Sequence, residues 1–141
     1  MLKPEISYQV AEFLSRPLIG RLATATPEGQ PHVVPVWFLW EKDALWISSY
    51  RSTRKVMDIE KNSKCALVVD IENVKEGLAA VMLEGEAELI CTPIEELRPR
   101  IERVYLKYLG TIGVFDKDPQ TWLNSPENVL IKLTPTKIKS W

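Results

Sequence analysis

The segment Ser48-Ser49-Tyr50-Arg51-Ser52-Thr53-Arg54-Lys55-Val56 has the residue types and the spacing that bind an anion. Hydroxyl residues lead out of an apolar run and into a predicted helix whose N-cap is Ser52 or Thr53. The free N–H groups of that first turn, the positive end of the helix dipole, Arg54 and Lys55 would then converge, an arrangement that a phosphate dianion prefers. Arg54 offers a bidentate fork and Lys55 a point charge. Residues 51 to 64 carry a net +3, while the whole chain carries −1. Basic residues ordinarily favour the other end of a helix, so their placement here favours an anion. The plainer alternative is a solvated helix face beside a capped start.

The second candidate is Pro31-His32-Val33-Val34-Pro35-Val36-Trp37-Phe38. Pro35 cannot donate to a β-ladder, so it marks an edge, a bulge or an interruption of the sheet. A flat heteroaromatic ligand suits such a place, because peptide groups can bond its ring edge while apolar side chains cover its face. The alternative is a barrel rim whose Trp37, Phe38 and Trp40 are core or dimer contacts.

Other chemistry is poorly provided for. His32 is the one histidine, and a lone strand histidine is more often structural than catalytic. Cys65 and Cys91 lie 26 positions apart and outside any recognisable nucleophile motif, and no G-x-S-x-G elbow occurs. A structural zinc site takes about four Cys or His ligands, so one chain cannot assemble a Cys/His site; carboxylate sites stay open in principle, and no metal ligand is assigned. No catalytic side chain is assigned.

The elements that must position these residues follow from periodicity. A helix is expected over residues 5 to 15 with Pro4 in its first turn, ended by Arg16-Pro17. Strands are expected over Leu18–Ala25, Pro31–Trp40, Ala44–Tyr50, residues 65 to 71 and 79 to 91, and Val129–Leu133 with an extension toward Trp141. In residues 79 to 91 every odd position is apolar or Gly, which gives one face to the interior and one to water. Thr92-Pro93-Ile94-Glu95 reads as a capping box opening a helix that Pro99 kinks and Gly110 ends. Thr111 to Pro126 reads as loop with a short turn at Asp118–Trp122. Six antiparallel strands with peripheral helices make a mainly β fold, a small β-barrel.

A chain of 141 residues with 45% hydrophobic and 26% charged residues suits one domain spanning 1–141. Near-neutral charge argues against nucleic acid as a partner. The longest apolar run, Val33 to Trp40, is too short to span a membrane, and the N-terminus lacks the apolar core of a secretory signal. A cytoplasmic location is expected.

The order G-R-L-A-T-A-T-P-E-G-Q-P-H-V-V-P-V-W-F, then A-L-W-I-S-S-Y, then S-T-R-K, resembles the pyridoxamine 5'-phosphate oxidase-like, flavin-binding split-barrel superfamily. The resemblance covers residues 18 to 72 in motif detail and nearly the whole chain in element order. It implies a six-stranded split barrel and a homodimer with cofactor sites in grooves between subunits. By the same resemblance Arg54 and Lys55, with Ser48, Ser49 and Thr53 nearby, hold the cofactor phosphate. Val33, Val34, Pro35 and Val36 lie against the cofactor ring, chiefly through backbone, and Trp37 belongs to the ring or the dimer surface. The chain's end lacks the Arg-x-His pair of the true oxidase. The Pro31–Phe38 strand is more similar to the smaller branch that includes reductases using coenzyme F420. FMN and F420 both stay open, since each joins a tricyclic ring to a phosphate-bearing chain. The expected activity is hydride transfer between that ring and a small organic substrate, with the chemistry carried by the cofactor. The alternative is a flavin-binding electron carrier without a substrate pocket.

Overall fold

The computed structural model describes residues 4–141. Its elements are α1 (Tyr8–Ser15), β1 (Gly20–Ala25), β2 (Pro31–Val36), β3 (Leu39–Glu41), β4 (Ala44–Tyr50), α2 (Arg54–Lys61), β5 (Lys64–Asp70), β6 (Ala80–Ile90), α3 (Ile94–Gly113), α4 (Lys117–Leu123) and β7 (Asn128–Ser140). All strand pairings are antiparallel, in the order β2-β1-β5-β6-β7-β4-β3. The two edge strands are β2 and β3, which are joined through Trp37 and Phe38. A chain advances at most about 3.3–3.6 Å per residue, so this short link forces the two edges of the sheet together. The sheet must therefore curl into a barrel, and the mainly β, antiparallel split-barrel reading holds.

Among the described residues the strand count is seven, where the sequence reading gives six. The expected single strand over Pro31–Trp40 breaks because the backbone of Phe38 leaves the ladder for α3. Its N–H donates to the Tyr108 hydroxyl at 3.1 Å, and its carbonyl accepts from Lys107 Nζ at 2.9 Å. The chain thereby changes partner from β1 to β4.

One core fills the barrel with Leu22, Leu45, Ile47, Leu67, Leu83 and Ile131, and Phe13 and Leu14 of α1 join it. A second joins α3 and α4 to the outside of the barrel through Trp46, Leu97, Ile101, Tyr105, Leu123 and Leu130. Strand β4 is buried on both faces as a result: Leu45 and Ile47 face inward, while Ala44 and Trp46 face α3. Ser48 follows on the α3-facing side, which places a hydroxyl at the end of an otherwise apolar wall.

Three further boundaries depart from expectation. Helix α1 begins at Tyr8 because Ser7 caps it, its hydroxyl accepting from the Val10 N–H at 3.1 Å. Helix α3 begins at Ile94 with Pro93 as N-cap and no side-chain cap, and it runs through Pro99. Its break is at Gly110 (φ 78°), after which one more turn leads to α4, where a loop was expected. Burial of Pro119 and Leu123 holds α4 in place. Strand β7 extends past Leu133 to Ser140, as expected, with a bulge at Pro135 that shifts the register against Glu84 and Gly85. Among the described residues, no helix is long and apolar enough to cross a membrane.

Candidate functional site

Strand β2, the end of β4, the start of α2 and the barrel-facing sides of α3 and α4 enclose a cleft with two arms. The wider arm holds about 460 Å³ and is lined by Ile19, Pro35, Val36, Trp37, Val104 and Tyr105. The narrower arm holds about 270 Å³ and is lined by Ser49, Tyr50, Thr53 and Asn128. Ser48, Lys55, Tyr105 and Trp122 line both, so the two arms are one continuous space. One arm is apolar and aromatic, the other carries hydroxyls and amide, and Lys55 at their junction is the one charged side chain among the lining residues.

The polar arm is built by the turn between β4 and α2. Thr53 is the N-cap of α2 by position, yet its hydroxyl donates back to the Tyr50 carbonyl at 2.8 Å and meets Ser49 Oγ at 3.0 Å. The first-turn N–H groups of α2 are thus left without a side-chain acceptor. Lys55 makes no ion pair among the described residues, and burial lowers its pKa. A desolvated cation beside unsatisfied N–H groups is a receptor for an anion.

The aromatic arm is held from α3. Trp37 stacks on Tyr108 with centroids 4.9 Å apart and planes 6° apart. The Tyr108 hydroxyl is fixed in turn by donating to the Leu18 carbonyl at 2.8 Å and accepting from Phe38 N–H. Burial pushes the Tyr108 phenol up to about 12, so it stays protonated and keeps both bonds. Tyr105 stands edge-on to Trp37 and to Trp122, each at 6.1 Å. Its phenol is also raised, chiefly by burial, with hydrogen bonding to Ser48 offsetting part. Asn128 is buried and ties the far wall together, donating to the Trp122 carbonyl at 2.7 Å and accepting from Ser48 Oγ at 3.4 Å.

Of the residues singled out in the sequence, Pro35, Val36, Ser48, Ser49, Thr53 and Lys55 line this cleft, as does Trp37. Val34 packs against the barrel core. Val33 points outward, 63% exposed, on the free edge of the sheet. Arg54 projects elsewhere: its Nε lies 3.7 Å from the buried Asp58 carboxylate, which accepts from Thr24 Oγ1 at 2.7 Å. It lines a separate depression with Thr26 and Glu28. His32 lies opposite Thr24 in the ladder, and its Nδ1 is buried without a partner.

Sequence reasoning missed Tyr105, Trp122 and Asn128. Tyr105 follows Ile101 by four residues and so shares its helix face, a signal that was available. Asp116 ahead of Pro119, Trp122 and Leu123 could have been read as the start of a short helix. Nothing local marks Asn128.

Comparison with known proteins accords with the barrel. A profile of the pyridoxamine 5'-phosphate oxidase family matches residues 6–141. The chain belongs to the pyridoxamine 5'-phosphate oxidase family. Within this oxidoreductase family it is similar to the 5a,11a-dehydrotetracycline/5a,11a-dehydrooxytetracycline reductase of Streptomyces rimosus, at 35% identity over 105 residues, 67% of this chain and 74% of that protein. Among solved structures, an F420 reductase superposes with a TM-score of 0.71 at 23% identity, covering 96% of this chain and 98% of that one. A conserved hypothetical protein of Mycobacterium tuberculosis superposes with a TM-score of 0.79 at 20% identity, covering 100% and 89%. These two likenesses are of fold.

Proposed function

We propose that this chain is an oxidoreductase that binds FMN or coenzyme F420 in the two-armed cleft and moves hydride between the cofactor ring and a small organic molecule. The observation that carries the reading is the cleft's own polarity: an aromatic arm of ring size continuous with an arm of hydroxyls, free helix N–H groups and one desolvated cation. Both cofactors have that shape, an apolar tricycle at one end and a phosphate-bearing chain at the other. When bound, such a ring supplies two-electron chemistry that no side chain here offers.

The residues fit the group in particular ways. Pro35 and Val36 offer backbone and apolar contacts to a ring. Ser48, Ser49 and Thr53 offer hydroxyls along the chain, and Lys55 with the first turn of α2 receives the phosphate. Arg54, held by Asp58, adds positive potential at the same helix start. The S. rimosus relative is named a reductase, which supports hydride transfer over a carrier role. So does the wall that α3 and α4 raise beside the cleft, since a carrier would leave the ring edge exposed.

The protein acts as a homodimer in this reading, with Val33 and Pro35 on the outward face of β2 meeting the second subunit and completing the site. The deciding experiment is the absorbance spectrum and mass of the small molecule that co-purifies. A flavin or deazaflavin spectrum is expected. Colourless protein with no affinity for either compound overturns the proposal.

A further inference from the structure

Resting on that reading, we infer that Asn128 is a positioning residue: it turns the Ser48 hydroxyl so that the hydroxyls of the polar arm face the cleft as hydrogen-bond acceptors only. They therefore take the hydroxyl-bearing chain between ring and phosphate, and not the phosphate itself. Asn128 is 2% exposed at the start of β7. Its Nδ2 stands 2.7 Å from the Trp122 carbonyl, 3.0 Å from that of Ser125 and 3.5 Å from that of Leu123. An amide turned end for end would set its oxygen against these carbonyl oxygens, so the orientation is fixed. Oδ1 is left as a buried acceptor, and the donor that reaches it is Ser48 Oγ, at 3.4 Å.

A hydroxyl has one hydrogen and two lone pairs. With its hydrogen given to Asn128, Ser48 meets every other group as an acceptor. Tyr105, its other polar neighbour, can donate or accept and so follows the direction that Asn128 sets. The second pair of hydroxyls runs the same way. Thr53 gives its hydrogen to the Tyr50 carbonyl at 2.8 Å, so the 3.0 Å contact with Ser49 uses the Ser49 hydrogen. Ser48, Ser49 and Thr53 all line the polar arm, and each has spent its hydrogen on the protein. Lone pairs attract a neutral polyol, which has hydrogens to donate, and repel a phosphate dianion, which has none. The phosphate is left to Lys55 and the free N–H groups of α2.

The test titrates FMN, riboflavin and lumiflavin, which share a ring and lose first the phosphate and then the polyol. If the co-purifying ring is a deazaflavin, F420, 8-hydroxy-5-deazariboflavin and its 10-methyl analogue take their places. Ser48→Ala should weaken FMN and riboflavin by the same factor, about fivefold, and lumiflavin by less. Asn128→Ala should weaken riboflavin about threefold in wild type and add no loss in a Ser48→Ala background. A larger loss for FMN than for riboflavin puts the hydroxyls on the phosphate and overturns the inference. So do an equal loss for lumiflavin, no loss from Ser48→Ala, and additive losses in the Asn128–Ser48 pair, which a merely structural Asn128 would give. Wild-type protein that binds neither ring fails the functional reading instead. In that case, or if Asn128→Ala does not fold, nitrogen-15 NMR of the free protein decides the Asn128 assignment. Its side-chain amide protons should exchange more slowly than those of exposed Asn73 and shift in Ser48→Ala. Exchange as fast as at Asn73, or no shift, overturns it.

Discussion

Burial lowers the pKa of two lysines in different places, Lys55 in the cleft and Lys107 beneath the barrel closure. Lys55 sits in the cleft with its pKa lowered by burial and no carboxylate to pair with. A charge-assisted contact to phosphate is worth about 1.5–3 kcal/mol, so Lys55→Ala should weaken FMN or F420 by about tenfold to a hundredfold in titration. Arg54→Ala, whose partner Asp58 lies outside the cleft, should cost less. The reverse order would move the phosphate to the Arg54 side. Lys107 is half-buried beneath the barrel closure, donating to the Leu14 and Phe38 carbonyls at 2.9 Å and lying 3.7 Å from the Phe38 ring centroid. Burial lowers its pKa from 10.5 to about 7. Between those values the unfolded chain binds the extra proton, so this group's contribution to stability rises with pH from about 7 toward 10.5. The difference in unfolding free energy between wild type and Lys107→Met should therefore shift in favour of wild type between pH 7 and 9. Its slope should stay below about 1.4 kcal/mol per pH unit, because partial exposure screens the charge. A flat difference in denaturant titrations across that range would show that Lys107 keeps its proton.

At the scale of elements, closure of the barrel depends on groups that break regular structure. The crossover at Trp37 and Phe38 is bonded by α3, and the β6–β7 pair is bent by the bulge beside Gly85. A Cβ at Gly85 would run into the Thr134 carbonyl oxygen and crowd Pro135 Cα, both backbone atoms that cannot swing away. Gly85→Ala should thus destabilise by about 2–3 kcal/mol, read as a lower denaturant midpoint at unchanged slope. A loss under about 0.5 kcal/mol would mean that the two strands can separate there without cost. The helix starts differ in what they leave open. Ser7 caps α1 with its side chain, while Thr53 leaves the first turn of α2 free beside the cleft. Helices α3 and α4 also start without a side-chain cap, so what sets the α2 start apart is its place beside the cleft and Lys55.

For the whole molecule, the outward face of the barrel offers the place where a second copy would sit. Val33, Ala23 and Ala66 form one row across β2, β1 and β5, and Pro35, Arg21, Val68 and Met82 form the next across to β6. Apart from Arg21 these are apolar and face away from both cores, and Val33 is 63% exposed. Val33→Asp should shift the protein to monomer in sedimentation equilibrium and weaken cofactor binding in parallel. A Val33→Asp monomer with undiminished cofactor affinity would show that one subunit suffices for the site.

Local signals made much of this protein readable in advance. The alternation of residues 79–91 marks β6, and the hydroxyl-to-basic turn marks the start of α2, because each is set by a period or a cap within a few residues. The Pro31–Phe38 segment likewise announces an interrupted strand, since Pro35 has no donor for a ladder. What the sequence alone determined, then, was most of the elements and which stretches have residue types suited to an anion and to a flat ring. Which of those residues share a space was decided only by the closed sheet. It turns Lys55 into the cleft and Arg54 toward Asp58, and it brings Tyr105, Trp122 and Asn128 to Ser48 across separations of 57, 74 and 80 residues. Period and cap are properties of neighbours along the chain; a cleft between sheet and helices depends on long-range packing, which no local pattern records.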